Sequence, residues 1–439
     1  MSRRLIYSNH ILKVCILAVL LLAGWPLHAQ NGAHSGFSPY SVYGIGDLHQ
    51  QGTAWNASMG GVGVATRNRR FVNTMNPASS TARDSLSFMA DFGLSGKAAL
   101  YTQGDIHNTN TLFNINNFVI SFPMWRKTAF MAGIAPFSDT GFSMSYVDKI
   151  TTGDQSIGHT GQRAYGASGD GGLNQFFAGA SVLLWNRLAL GAQYSLFFGG
   201  ISKYSESSFG DASYRSVTLG DTLQVRAHTA KFGLQYVQPV GRNGKVIFGA
   251  TYRLKAKMQG QAIEYSNVKE MDLGSHSLAD DKISIGDELG FGLGYSAGER
   301  WSVEVDYLRG NWTGSNFDAV RGLRNNGAYS FSSSVAQSVR AGFEITPNRN
   351  DIRYALRRCT YRVGAYMEQS YYQVDGHNLT SAGITLGMTV PVFQGYNGIT
   401  FALDLGQRGF GTAFVKENYL GFHVGFNIFD IWFRKPQYQ

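Results

Sequence analysis

The most regular feature of this 439-residue chain is alternation. Leu188, Leu190, Ala192, Tyr194, Leu196 and Phe198 are apolar, with Gln193 and Ser195 between them. Val246, Phe248, Ala250, Tyr252 and Leu254 repeat the pattern, as do Leu420, Phe422, Val424, Phe426 and Ile428. A period of two gives a strand one apolar face and one polar face. Fourteen segments read this way: 86–95, 113–124, 128–147, 173–184, 188–199, 222–240, 245–257, 283–296, 301–309, 328–346, 360–372, 380–391, 398–406 and 417–429. Their connections alternate in length. Polar stretches at 96–112, 148–172, 200–221, 258–282 and 310–327, with shorter ones at 373–379 and 407–416, lie at one end. At the other end are tight turns such as Trp125-Arg126-Lys127 and Trp185-Asn186-Arg187, and the links 347–359 and 392–397. An even strand number with links sorted by length is the layout of a transmembrane β-barrel. A large soluble sandwich has no reason to sort its loops in this manner. The expected fold is all-β: a 14-stranded antiparallel transmembrane barrel over 86–433.

In such a barrel the apolar face meets lipid and the polar face lines the lumen. Glu304, Asp306, Arg340, Glu344, Arg362, Glu368 and Asp404 share the polar parity and are expected to point inward. Both signs are present, which favours a paired network holding a plug over an ion path. Trp125, Trp185, Trp301 and Tyr295 near strand ends suit an interfacial girdle. A lumen of this size needs a stopper or a channel function. Residues 30–85 are rich in Gly, Asn and Ser yet carry Phe37, Tyr40, Tyr43, Trp55, Met59, Phe71 and Met75. That makes them an N-terminal hatch inside the lumen. Within the third strand, Pro136 lacks a ladder donor and Gly133 permits distortion, so a local break in pairing is expected there.

Composition agrees. Charged residues make up 15%, aromatics 13%, and there are 54 Gly against 9 Pro. This is neither a disordered nor a collagen-like chain. Arg3, Arg4 and Lys13 precede the apolar run Val14–Trp25 and a small-residue cleavage site at Leu27-His28-Ala29, which reads as a signal peptide over 1–29. Its three cations leave +6 of the formal +9. Cys15 leaves with it, so Cys359 stands alone and no intramolecular disulfide can form. Residues 434–439 read as a periplasmic tail. No metal-binding motif, nucleophile elbow or Walker loop occurs, so no enzyme activity and no cofactor are expected, and nucleic-acid binding is disfavoured.

The run Gly60-Gly61-Val62-Gly63-Val64-Ala65 followed by Met75-Asn76-Pro77-Ala78-Ser79 resembles the FadL-like family of outer-membrane transporters for long-chain fatty acids and other hydrophobic compounds. Ser38–Asp47 and Gly171-Gly172-Leu173-Asn174-Gln175 are similar to a branch of that family found in Bacteroidota. The resemblance implies a 14-stranded barrel, a hatch carrying Asn-Pro-Ala, and sideways release through a gap at an inward kink of strand three. It places the gate at Asn76, Pro77 and Ala78 and the kink at Gly133 and Pro136. The implied function is passive uptake of a hydrophobic, fatty acid-like molecule across the outer membrane of a Gram-negative bacterium. Outer-membrane lipid, lipopolysaccharide and the cargo are the expected partners. The alternatives are a protein-interaction barrel of the type IX secretion kind, with secretion-system partners, or a structural protein without transport. Loop residues Phe317, Tyr329 and Phe331 are candidates either for cargo contact or for packing the loops.

Overall fold

The computed structural model describes residues 37–84, 86–125, 127–149, 162–209, 215–267, 271–324, 330–392, 397–410 and 415–431. The expected signal peptide, the tail and Tyr329 lie outside the described residues.

The barrel strands are β1 (Ser87–Gln103), β2 (Ile106–Trp125), β3 (Thr128–Asp139), β4 (Gln162–Leu184), β5 (Leu188–Phe209), β6 (Val217–Val240) and β7 (Gly244–Arg253). They continue with β8 (Asp287–Ala297), β9 (Trp301–Asn311), β10 (Val335–Ile345), β11 (Thr360–Val374), β12 (His377–Pro391), β13 (Gly398–Arg408) and β14 (Lys416–Ile431). Phe142–Lys149 prolongs β3, and Ala256–Ser266 prolongs β7. Each strand pairs antiparallel with its sequence neighbours. The ring closes where β1 meets β14, from Ser87↔Ile431 to Thr102↔Lys416.

The faces follow the parity of the sequence. Phe291 and Leu293, Val303 and Val305, Ile384 and Leu386, and Leu403 and Leu405 are exposed on the outside, while Asp306, Arg340, Arg362 and Asp404 are buried within. A hydrocarbon surround makes this inversion of the soluble pattern favourable.

The polar outer stretches differ from expectation. The stretch 96–112 is mostly strand, because β1 and β2 run to Gln103 and from Ile106 around a two-residue turn. Likewise β5 extends to Phe209 and β6 begins at Val217. Here water wets both faces, so selection for alternation lapses while the backbone ladder continues. The 24 residues of β6, at about 3.3 Å each, far exceed an apolar band of about 25 Å even when tilted.

Residues 37–84 fill the interior. Their short elements are helical turns at Pro39–Val42, Ala54–Ala57 and Pro77–Ala82 and a two-residue strand, Asp47–Leu48. The first and last turns begin with proline, whose missing N–H is not needed there. Ser38 and Asn76 cap them, each side chain accepting from the backbone two residues on. Tyr40, Tyr43 and Ile45 join Trp312, Phe317, Phe331, Tyr371 and Tyr372 in one apolar core. Trp55, Met59, Val62 and Phe71 form a second, smaller one.

Candidate functional site

Glu304 and Asp306 lie two apart on β9 and therefore project from the same face. Asp306 accepts from the backbone N–H of Gly63 (2.7 Å) and Val64 (2.9 Å). Glu304 accepts from the N–H of Ala65 (2.9 Å) and from the Thr66 hydroxyl. On β10, Arg340 donates to the Gly61 carbonyl (3.3 Å) and pairs with Glu368 of β11 (3.2 Å). Glu344 accepts from the Trp55 indole (3.0 Å) and from Arg362 (2.7 Å). The Arg362 guanidinium sits 5.3 Å from the Trp55 ring and 4.9 Å from that of Phe71. Asp404 accepts from the Tyr366 hydroxyl at 2.9 Å. The seven inward charges expected from parity are thus placed together. Five of them grip the hatch, while Glu368 and Asp404 brace their neighbours.

The wall is thinned where the hatch touches it. A Cβ on Gly364 would fall 2.2 Å from the Gly60 nitrogen, one on Gly342 2.4 Å from the Met59 carbonyl oxygen, and one on Gly249 2.2 Å from that of Val64. Gly191 and Gly233 do the same for Ala78 and Pro77. Much of the glycine excess is therefore a seat. Asn76 completes it: its amide donates to the carbonyls of Val64 (2.8 Å), Leu234 (3.1 Å) and Ala250 (3.5 Å). Asn76, Pro77 and Ala78 are thus clamped between the hatch and strands β5 to β7.

Strand β3 parts from β2. Their pairing runs from Trp125↔Thr128 to Phe118↔Ile134 and stops, with Gly133 opposite Val119 in the last stretch. Ala135 and Pro136 keep only their partners on β4, and the register slips between Pro136 and Ser138. Pro136 has no N–H to offer β2. Among the described residues no strand covers 106–117 of β2 on this side; its other side pairs with β1. The vacated edge of β3 is taken by the hatch, with Asp47 and Leu48 opposite Asp139 and Ser138. His49 forms an ion pair with Asp139, and its backbone N–H donates to the Phe137 carbonyl at 2.9 Å. Burial lowers the His49 pKa, but the Asp139 carboxylate outweighs it and holds the imidazole above its ordinary value. Asp47 binds Arg408 (2.8 Å) and the Tyr372 hydroxyl (3.1 Å). Burial raises its pKa, while Arg408 and Lys97 bring it below the usual carboxylate range. Sequence reasoning missed this latch: a two-residue strand carries no periodicity.

A cavity of about 320 Å³ borders the parted seam, touching Leu112 and Asn116 of β2 and Phe137 and Asp139 of β3. Its remaining lining mixes aromatic groups with the ion-paired Asp47, Arg340, Glu368 and Arg408. Another cavity, about 520 Å³, lies by the turns at the opposite end, beside Arg67, Glu299 and Trp301. Burial pulls the Arg67 pKa down to about 10; its guanidinium donates to Thr81 at 2.8 Å.

The sequence matches the BamG family over residues 11–439. The chain belongs to the BamG family. No curated protein matches it. Among solved structures, the toluene transporter TbuX of Ralstonia pickettii is 14% identical and superposes with a TM-score of 0.53 over 88% of this chain and 99% of its own. The P. putida toluene transporter TodX is 14% identical, with a TM-score of 0.51 over 90% of this chain and all of its own. A Pseudomonas aeruginosa FadL homologue is 9% identical, with a TM-score of 0.51 over 88% and 99%. At these identities the likeness is one of fold: this BamG-family chain has the FadL-like, 14-stranded outer-membrane barrel. Two of the three candidate cargo residues lie within the described residues. Phe317 and Phe331 are buried in the apolar core, where the Tyr43 ring stacks on Phe331 at 5.6 Å.

Proposed function

We propose that this barrel admits hydrophobic, fatty acid-like molecules passively across the outer membrane and releases them sideways through the β2/β3 seam. The observation that carries the reading is the end of strand pairing above Phe118↔Ile134, beside a lumen cavity. Open backbone at membrane depth is tolerated only where it lines a cavity. Burial of apolar surface, about 25 cal/mol per Å², would draw the cargo from water and then into lipid. The resemblance-based expectation places gating at Asn76-Pro77-Ala78. The clamped geometry favours that segment as a floor, with Asp47–His49 as the element whose release widens the seam. The test is Pro136→Ala, which restores a ladder donor. Uptake of a labelled fatty acid by cells making this variant slows, while the barrel keeps its heat-modifiable migration on gels. Unchanged uptake would remove the lateral route.

A second reading, a protein-interaction barrel, is favoured by the aromatic core and by the ion pairs lining the cavity, which oppose a continuous apolar path. Stoichiometric co-purification with one partner in mild detergent, together with normal fatty-acid uptake in a deletion strain, would select it.

A further inference from the structure

The link 347–359 between β10 and β11 lies at the end of the tight turns, which in an outer-membrane barrel is the periplasmic end; it is longer than those turns and is built rather than loose. The Thr346 and Thr360 hydroxyls meet at its base (2.8 Å), and the N–H of Asn348 donates to the Arg357 carbonyl (2.8 Å). Asp351 accepts from the N–H groups of Arg353 and Tyr354, both at 2.8 Å. This frame presents apolar side chains outward: Ile352 is 95% exposed, Leu356 69% and Tyr354 51%. Exposed apolar groups on an ordered turn mark a contact surface.

Two observations say which surface. Arg349, Arg353, Arg357 and Arg358 against Asp351 give the link a net charge of +3. Among the described residues no carboxylate pairs with Arg353 or Arg358. The second is direction. Tyr361 shares the lipid-facing parity of Val363 and Met367, which are 41% and 60% exposed. Its hydroxyl donates to the Leu356 carbonyl at 3.0 Å. The turn Ala355–Arg358 therefore hangs beside the outer face of the wall, not beneath the lumen. Each headgroup layer is only about 5–8 Å deep, so a short link pinned there stays within it.

We propose that this link seats on the anionic phospholipid of the periplasmic leaflet. Ile352, Tyr354 and Leu356 enter the acyl boundary, and Arg353 and Arg358 meet phosphates. Apolar burial and attraction to anionic lipid act together in such segments. The seat is independent of any transport and anchors the barrel on the β10–β11 side.

The test uses the full chain in nanodiscs of phosphatidylethanolamine and phosphatidylglycerol. A fluorophore is attached at Ile352→Cys, with Leu356→Cys as a second site and Arg242→Cys, in a tight turn, as the aqueous reference. Cys359 is buried, and unsubstituted protein controls for its labelling. Quenching by lipid carrying a shallow spin label is expected to be at least about threefold greater at the first two sites than at the reference. It is expected to fall by about half or more when Arg353→Glu and Arg358→Glu are combined, or when phosphatidylcholine replaces the anionic lipid. Quenching no greater than at the reference overturns the proposal. So does quenching indifferent to both charge changes, or shielding that occurs only when a periplasmic protein is added.

Discussion

Asp306 shows how much one carboxylate can organise. It gathers two consecutive backbone N–H groups of the hatch. Asp306→Ala would leave both donors buried without that partner, at a cost of about 1–3 kcal/mol for each group left unmade. Faster amide exchange at residues 61–66, with barrel strands still protected, is the expected result. His49 adds a pH dependence whose sign follows from its raised pKa. A group with a raised folded pKa contributes fully below its unfolded value, about 6.5 for His, and that contribution is lost as pH rises through the folded value. The contact of Asp47–His49 with β3 should therefore loosen from mildly acidic to alkaline pH. Exchange at the His49 amide across that range checks it, and His49→Gln should flatten the response.

At the scale of elements, β2 is half edge and half wall. Residues 118–121 have strands on both sides and 122–125 pair with β3, whereas 106–117 pair with β1 alone among the described residues. Amides of 106–117 that face the seam should exchange orders of magnitude faster than those of Val119–Ser121. Uniform protection along β2 would contradict the parted seam. A local break in pairing was expected here because a proline in a barrel strand forbids one ladder bond wherever it lies, and the β2 pairing of β3 ends at Ile134, two residues before Pro136. What replaces β2 along β3 was not readable. Asp47 and Leu48 are chosen by their position within the lumen, and no local pattern distinguishes them from the polar residues around them.

For the whole molecule the question is whether the hatch is a door or a floor. The contacts at Gly364, Gly342 and Gly249 involve hatch backbone, which cannot swing aside as a long side chain does. Gly364→Ala places a methyl group 2.2 Å from the Gly60 nitrogen and should unseat that part of the hatch. The expected readouts are a rise in single-channel conductance in planar bilayers and greater sensitivity of cells to large antibiotics. Wild-type protein should remain nearly closed in the same bilayers. Silence of the variant would mean that the wall yields instead.

The period of two along the chain determined the number of strands, the face that meets lipid and the inward aim of Glu304, Asp306, Arg340, Glu344, Arg362, Glu368 and Asp404. Those properties are local, because side chains alternate on any strand whatever its neighbours. The apparent outer loops misled for the same reason: above the bilayer a strand need not alternate, and only pairing with its neighbour reveals it. Which glycines receive the hatch, how Asn76 reaches carbonyls on two barrel strands, and how Asp47–His49 holds the displaced edge of β3 were decided by tertiary structure alone. Each joins groups far apart in sequence, and only barrel closure brings them within bonding distance.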